Sequence, residues 1–209
     1  GVKGAYEKAL ESIRVAKRVC VRDLGRSATM SRYNVGGVAQ VQEFAISNNL
    51  NFTVTTTHSS DVFFGDQRAK QPESGPAIRE LEKIQRRFMS STRIKDWFKG
   101  YFVGGLIDVL KGQPRPISCR AGSDFFYLDP EGNVYPCHLW DSSMGNLNDQ
   151  TYEDIIAANQ STLEQVARCT KKCWMTCTVA PEIRRKLPEY AFKVLLAKVR
   201  HHLGSGTRR

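Results

Sequence analysis

The sequence predicts an α/β protein with parallel strands in its first part and a small cysteine-rich domain in its second part. Two observations support this fold class. Helical and β-branched segments alternate over the first 65 residues, and five of the six cysteines fall between residues 119 and 177. With 209 residues, the chain is long enough to fold around an apolar core without disulfide bonds.

The first part is predicted to alternate between helices and strands. Apolar residues recur at helical spacing in residues 5–19 and 36–48, whereas 26–31 and 51–57 are predicted to be extended. This order indicates parallel strands joined by right-handed crossovers. The polar residues 58–75 are predicted to form a loop at the carboxyl end of a strand, which is where ligands bind in such sheets.

A break in the pattern marks the end of this part. Residues 77–89 and 94–110 are predicted to be helices, and the aromatic side chains of the second helix are expected to pack in the core. The glycine and proline residues of segment 112–116 then interrupt helical spacing and indicate a domain boundary. The predicted domains are 1–115, 116–180 and 181–209.

A β-hairpin is predicted at the start of the cysteine-rich part. Residues 125–128 alternate as a strand, 129–133 (DPEGN) have the composition of a turn, and 134–135 begin the return strand. A cysteine lies near each end of this segment. The hairpin can therefore bring Cys119 and Cys137 close together.

Two later helices have recognisable first residues. Thr151 is a predicted N-cap for a helix at residues 152–158, and Asp154 completes an acidic variant of the capping box. Pro181 is predicted to begin the next helix, because proline suits the first helical position.

The C-terminal helix and tail carry part of the net charge of +10. Basic residues there could attract nucleic acid or anionic lipid, but a solvated helix face is the simpler interpretation. Phe192, Leu195 and Leu196 form an apolar stripe within residues 189–203, which we expect to dock on the domain and not on a membrane. Nucleic-acid binding is not expected, because no helix-turn-helix signature or paired aromatic platform is present.

Localisation is predicted from two features of the sequence. No segment approaches the roughly eighteen apolar residues of a membrane span, and no signal peptide is recognisable, so we expect a cytoplasmic protein. Clustered cysteines in that compartment are typical of metal ligands and not of disulfide bonds. Cys20 lies apart from the others and is expected to be a buried apolar residue.

Five cysteines form the candidate metal site: Cys119, Cys137, Cys169, Cys173 and Cys177. Five thiolates can bind either a zinc ion or an iron–sulfur cluster. Zinc sites favour paired cysteines about two to four residues apart, whereas seventeen residues separate Cys119 from Cys137. The wide spacing favours one [4Fe–4S] cluster, which needs four thiolates and leaves Cys169 or Cys173 as a spare thiol.

Two other side chains lie next to these cysteines in the sequence. His138 could bind the metal or donate to a cluster sulfur, but a loop residue without such a role is the preferred interpretation. Trp174 is expected to shield the cluster from solvent, which would tune its reduction potential.

Three segments resemble the auxiliary-cluster region of radical SAM enzymes, called the SPASM domain or, in its shortened form, the twitch domain. They are CRAGSDFFYLDPEGNVYPC (119–137), MGNL (144–147) and CTKKCWMTC (169–177). The resemblance covers about residues 118–179. Twelve residues between Cys119 and Gly132, and four more before Cys137, fit the opening motif of this family.

The earlier part resembles the later half of the partial (βα)6 barrel of radical SAM enzymes. This resemblance places Thr29, Ser31 and Asn34 where loops after the strands contact S-adenosylmethionine, although turn polarity alone would also explain these residues. The CxxxCxxC motif that binds the catalytic cluster in this family does not occur in the sequence. We therefore expect either a fragment that begins in mid-barrel, which we favour, or a relative that has lost radical chemistry.

The resemblance implies that the complete protein is an oxidoreductase. It would cleave S-adenosylmethionine to a 5′-deoxyadenosyl radical, take electrons from ferredoxin or flavodoxin, and modify a substrate such as a peptide or protein. This chain would supply the auxiliary [4Fe–4S] cluster, whereas S-adenosylmethionine and a second [4Fe–4S] cluster would need an upstream segment. The alternatives are a non-catalytic electron-transfer module, a zinc-binding interaction domain and a basic nucleic-acid binder.

Overall fold

Helices and strands alternate in the N-terminal part of the protein. The computed structural model describes residues 3–21, 23–58, 60, 63, 65, 70–171 and 173–205. In chain order, the elements here are α1 (Ala5–Arg18), β1 (Gly25–Met30), a 3₁₀ turn (Val35–Gly37), α2 (Val38–Ser47), β2 (Asn51–Thr56), α3 (Ser74–Met89) and α4 (Ile94–Leu110). The predicted α/β fold class is confirmed. Eight residues of the predicted loop at 58–75 lie outside the described residues, and its last two residues belong to α3.

Strands β1 and β2 pair in parallel, as the sequence predicts. The register runs from Gly25 opposite Asn51 to Met30 opposite Thr56, and α2 makes the crossover between the strands. In the described residues, the parallel sheet contains these two strands. The larger partial barrel therefore stays a prediction.

The two faces of this strand pair differ in polarity. Phe52 and Val54 point into a core that they share with Leu81 and Ile84 of α3. Because side chains alternate along a strand, the other face carries the intervening residues. On that face Ser27 is opposite Thr53 and Thr29 is opposite Thr55, so the exposed or half-buried side of the sheet presents hydroxyl groups.

A small antiparallel sheet opens the cysteine-rich part. Its strands β3 (Tyr127–Leu128), β4 (Asn133–Tyr135) and β5 (Gly145–Asn146) lie in the order β3-β4-β5. The predicted hairpin is confirmed, since Tyr127 is opposite Tyr135 and Leu128 is opposite Val134. The sequence did not predict β5, which is too short to show alternation.

The hairpin turn is fixed by one carboxylate and one glycine. Asp129 Oδ1 accepts from the backbone N–H groups of Glu131 (3.0 Å) and Asn133 (2.8 Å). Gly132 has a φ of 88°, in the left-handed region that side chains other than glycine rarely adopt. This explains why the motif needs a glycine between its two cysteines.

Four helices follow the small sheet: α5 (Tyr152–Ala158), α6 (Gln160–Ala167), α7 (Thr176–Arg185) and α8 (Leu187–Ser205). The predicted N-cap is confirmed, because Thr151 Oγ1 accepts from the backbone N–H of Asp154 at 3.2 Å. The prediction for Pro181 is wrong. It lies inside α7, which begins at Thr176, and having no N–H it cannot donate to the carbonyl of Cys177.

The predicted docking face of the last helix is also wrong. Phe192 and Leu195 remain 67% and 51% exposed, whereas Tyr190 and Val194 are buried at 3% and 2%. The helix is apolar on both faces, and Lys198 lies beside the end of α3. Its Nζ donates to the carbonyls of Met89 and, at 2.9 Å, Ser91, where basic groups favourably interact with the end of α3. Within the described residues, no helix combines the length and apolarity of a membrane span.

Candidate metal centre

The five candidate cysteines come from separate elements. Cys119 precedes the hairpin and Cys137 follows β4, the last strand of that hairpin. Cys169 follows α6, and its backbone N–H donates to the carbonyl of Val166 at 3.0 Å. Cys173 lies in the next loop, and Cys177 lies in the first turn of α7.

The fold brings these separated cysteines close to one another. Cys119 is 6% exposed and packs in a small cluster to which Cys137 and Cys169 also belong. Burial is the main cause of the raised pKa values of Cys173 and Cys177, and the nearby Cys119 raises both further. All five thiols are free of disulfide bonds. Cys119, Cys137 and Cys169 thus pack in one cluster, and the role of all five cysteines as ligands stays a prediction.

The arrangement differs from that of a single-ion site. Among the described His, Cys, Asp and Glu side chains, no three are grouped so that they could hold one metal ion. A zinc ion needs four ligands at about 2.3 Å from a common centre. In a four-iron cluster each thiolate binds a different iron, so the sulfurs lie farther apart.

Burial keeps several of the thiols neutral before any metal binds. It raises the pKa of Cys137 to about 11, and it also raises the pKa values of Cys173 and Cys177. Binding a metal through these sulfurs must therefore release protons. Bonds between the thiolates and the metal would then offset the cost of burying their charge.

Polar groups surround the sulfurs in a way that suits an anionic centre. The backbone N–H of Leu139 donates to Cys137 Sγ at 3.4 Å, and Arg115 Nη1 donates to Cys173 Sγ at 3.0 Å. Cys177 lies at the positive end of the α7 dipole. Donors of this kind orient thiolate ligands and stabilise their charge. The residues present therefore fit an iron–sulfur cluster.

Trp174 connects the cysteine-rich part to the N-terminal part. Its Nε1 donates to the carbonyl of Phe102 at 2.7 Å, and the two rings stack with centroids 6.1 Å apart. A Cβ on Gly105 would lie 2.2 Å from the indole, so this glycine allows the close approach. The predicted shielding of the cluster by Trp174 is untested, whereas its packing against α4 is evident.

His138 also makes a contact that the sequence did not reveal. Its ring lies 4.8 Å from that of His58, which follows β2. Burial, together with the nearby His58, lowers the pKa of His138 to about 4. Ser60 Oγ donates to the carbonyl of His138 at 2.6 Å. These contacts hold the segment after β2 against the residue that follows Cys137.

A cavity of about 490 Å³ lies between the end of β2 and the cysteine loop. Thr55, Thr57 and His58 line it on the strand side. Cys173 and Lys171 line it on the loop side. The cavity is therefore at the carboxyl end of a parallel strand, where the sequence predicted a ligand site.

The three residues predicted to face S-adenosylmethionine meet at the end of β1. Asn34 Oδ1 accepts from the backbone N–H of Ser31 at 2.7 Å, and its Nδ2 donates to the carbonyl of Thr29 at 3.0 Å. The side chain of Asn34 thus closes the turn after the strand. A role in cofactor binding stays a prediction for these residues.

The prediction that Cys20 is buried is wrong. Cys20 is exposed, and it follows the last turn of α1 with a φ of 55°. The chain reverses there, so the side chain is left outside the apolar core. A lone cysteine in a sequence does not reveal such a turn.

The packed cysteines and the donors to two of their sulfurs suit an iron–sulfur cluster. Residues 119–178 match the family model of SPASM, described as an iron–sulfur cluster-binding domain. This match confirms the resemblance to SPASM domains that the cysteine segments predicted. Searches of curated proteins and of solved structures found no match.

Proposed function

We propose that the chain is the C-terminal part of a radical SAM oxidoreductase. In this proposal the SPASM domain holds an auxiliary [4Fe–4S] cluster that assists the radical modification of a peptide or protein. The match of residues 119–178 to the SPASM family, over cysteines that lie close together, carries the proposal. A cytoplasmic location and electron supply by ferredoxin or flavodoxin belong to the same proposal.

The N-terminal part of the chain supports the assignment to a barrel that binds a ligand. Helices cover one face of its two parallel strands. The other face presents Ser27, Thr29, Thr53 and Thr55. In (βα) barrels ligands bind at the carboxyl ends of the strands, and Thr29 and Thr55 lie next to the last residues of β1 and β2. The cleavage of S-adenosylmethionine would need a second cluster bound by a CxxxCxxC segment, which these 209 residues lack.

The residues of this chain would position the auxiliary cluster beside the substrate. When bound, the cluster supplies or accepts one electron. Its thiolates would come from the five gathered cysteines, with Leu139 N–H and Arg115 donating to two of the sulfurs. The cavity between β2 and Cys173 would place the substrate within reach of the centre. Lys171 lines this cavity and donates to the carbonyl of Leu139 at 2.8 Å, which fixes the loop.

Anaerobic reconstitution with iron and sulfide tests the cluster. We expect about four iron and four sulfide per chain, with broad absorption near about 400 nm. The Cys119→Ser variant should lose most of the iron, because Cys119 is central to the group. Cys20→Ser is the matched control and should retain it, because Cys20 is exposed and apart. A colourless protein that binds zinc at the same cysteines would exclude the proposal.

A separate measurement tests the radical SAM assignment. A gene product that contains these residues together with an upstream CxxxCxxC segment should release 5′-deoxyadenosine from S-adenosylmethionine after reduction with dithionite. A product that binds the auxiliary cluster but never cleaves S-adenosylmethionine would instead support the electron-transfer alternative.

A further inference from the structure

Arg115 joins the two segments that supply the cysteines. Its guanidinium group donates to three acceptors, each at 3.0 Å: the carbonyl of Ile117, the carbonyl of Cys169 and the sulfur of Cys173. The first acceptor lies two residues before Cys119. A single half-buried side chain thus fixes the segment before the hairpin against the loop after α6.

Only an arginine can make this set of contacts. Its planar fork presents several N–H donors in fixed directions, whereas a lysine ammonium is a compact point charge. The two carbonyl bonds fix the plane of the guanidinium group. The third donor is then aimed at the sulfur of Cys173.

From this geometry we propose that Arg115 is a positioning residue that holds Cys173 as a ligand of the auxiliary cluster and raises the reduction potential of that cluster. The inference rests on the proposed iron–sulfur function. It narrows the choice of ligands, because the sequence left Cys173 or Cys169 as the spare thiol. Hydrogen bonds and positive charge at a cluster sulfur stabilise the reduced state, which carries one more electron.

The guanidinium group of Arg115 has different surroundings from those of the basic side chains near it. Arg120 is engaged by Asp124 at 2.9 Å, and Arg168 has a side chain that is 84% exposed and lies 3.9 Å from Glu164. Water and these carboxylates screen both charges. Arg115 is half-buried and donates directly to a sulfur, so its effect on the cluster should be larger.

The test compares the midpoint potentials of reconstituted variants of the whole chain. Arg115→Gln should shift the potential of the cluster to more negative values, because the positive charge is removed. Arg168→Gln is the matched control, since it makes the same change beside Cys169 on an exposed side chain. Potentials are measured by anaerobic dithionite titration, with the reduced cluster followed by electron paramagnetic resonance.

The rate of iron release to a chelator is a second measurement, for variants that take up too little iron for a potential to be measured. Arg115→Lys keeps the charge but cannot bridge all three acceptors, so we expect faster release of iron to a chelator with a smaller shift in potential. Cys173→Ser should lose iron or shift the potential of what remains. Circular dichroism of the metal-free chains establishes that each variant folds.

The outcomes separate this inference from the function on which it rests. A wild-type chain that takes up no iron and sulfide contradicts the proposed function itself. If the wild type loads, equal potentials in wild type and Arg115→Gln overturn the role of Arg115. Full iron content and an unchanged potential in Cys173→Ser overturn the assignment of Cys173 as a ligand.

Discussion

Two regions of this protein are stabilised by different kinds of interaction. The N-terminal region, residues 25–110, surrounds one extended apolar core in which Leu81 is completely buried. The cysteine region, residues 119–178, has two small apolar clusters, one around Ile155 and one that includes Cys119 itself. Hydrophobic burial is the main favourable contribution to folding. We therefore expect burial, to which Trp174 and Val179 also contribute, to dominate the stability of the N-terminal region, and the cysteine region to depend more on a bound metal centre.

Removing the cluster is expected to have the largest effect, and to confine it to the cysteine region. Binding free energy adds to folding free energy at a metal site. Hydrogen exchange of the backbone amides in β3, β4 and β5 should therefore accelerate by about tenfold or more in the metal-free chain. The amides of α3 and α4 serve as the internal control and should change little. Equal exchange of the small sheet with and without metal would remove the contrast between the regions.

Truncation of the apolar core should destabilise the N-terminal region strongly. Leu81→Ala leaves a cavity in the core and should lower the free energy of unfolding by about 2–5 kcal/mol. Leu128→Ala is the matched control in the cysteine region, because Leu128 is 47% exposed and should cost within about 0.5–1 kcal/mol. Urea unfolding followed by circular dichroism measures both changes. If the two variants lower the free energy of unfolding by similar amounts, the large core does not contribute more to stability than the cysteine region does.

Local signals predicted the elements whose geometry depends on neighbouring residues. The hairpin turn is set by Asp129 and Gly132, both of which are visible in the sequence. Thr151 caps its helix with a residue only three positions away. The opening motif of Cys119, Gly132 and Cys137 was likewise visible, because its three residues lie within one short segment.

Contacts between distant residues could not be predicted from the sequence. The bonds from Arg115 to Cys169 and Cys173 span more than fifty residues, and no local pattern marks them. The last helix is apolar on two faces, and the face with Tyr190 and Val194 is the one that is buried. Tertiary packing selected the face in that case, where periodicity alone left two choices.

A change at the hairpin glycine tests how far the cysteine region depends on local backbone geometry. Gly132→Ala places a Cβ at a φ of 88° and 2.6 Å from Asn148 Nδ2. We expect a loss of about 1–2 kcal/mol, because a left-handed conformation is strained for alanine. Gly36→Ala is the control, since a Cβ there would meet no atom within 4 Å. Thermal unfolding of the reconstituted variants measures the difference, and equal melting temperatures would contradict the prediction.

The smallest expected effect concerns α7, which takes part in both regions. Cys177 at its start belongs to the thiol group, and Val179 belongs to the large core. Between that core and the helix end, Glu182 is buried and accepts from Lys186 at 3.0 Å and from Arg185. Burial alone would raise the pKa of Glu182, but these bonds outweigh it and the net pKa is lowered.

A lowered carboxyl pKa fixes the sign of the pH dependence. The stability contributed by Glu182 should be fully present above the ordinary value of 4.5 and should be lost as the pH falls through the lower value of the folded state. Acid unfolding of the metal-free chain between about pH 6 and pH 3 measures this contribution. Glu182→Gln should flatten the curve in that range, whereas Glu153→Gln on an exposed position should leave it unchanged. A steeper curve in Glu182→Gln would show that burial, and not the basic partners, governs this carboxylate, and that α7 is held by the apolar core alone.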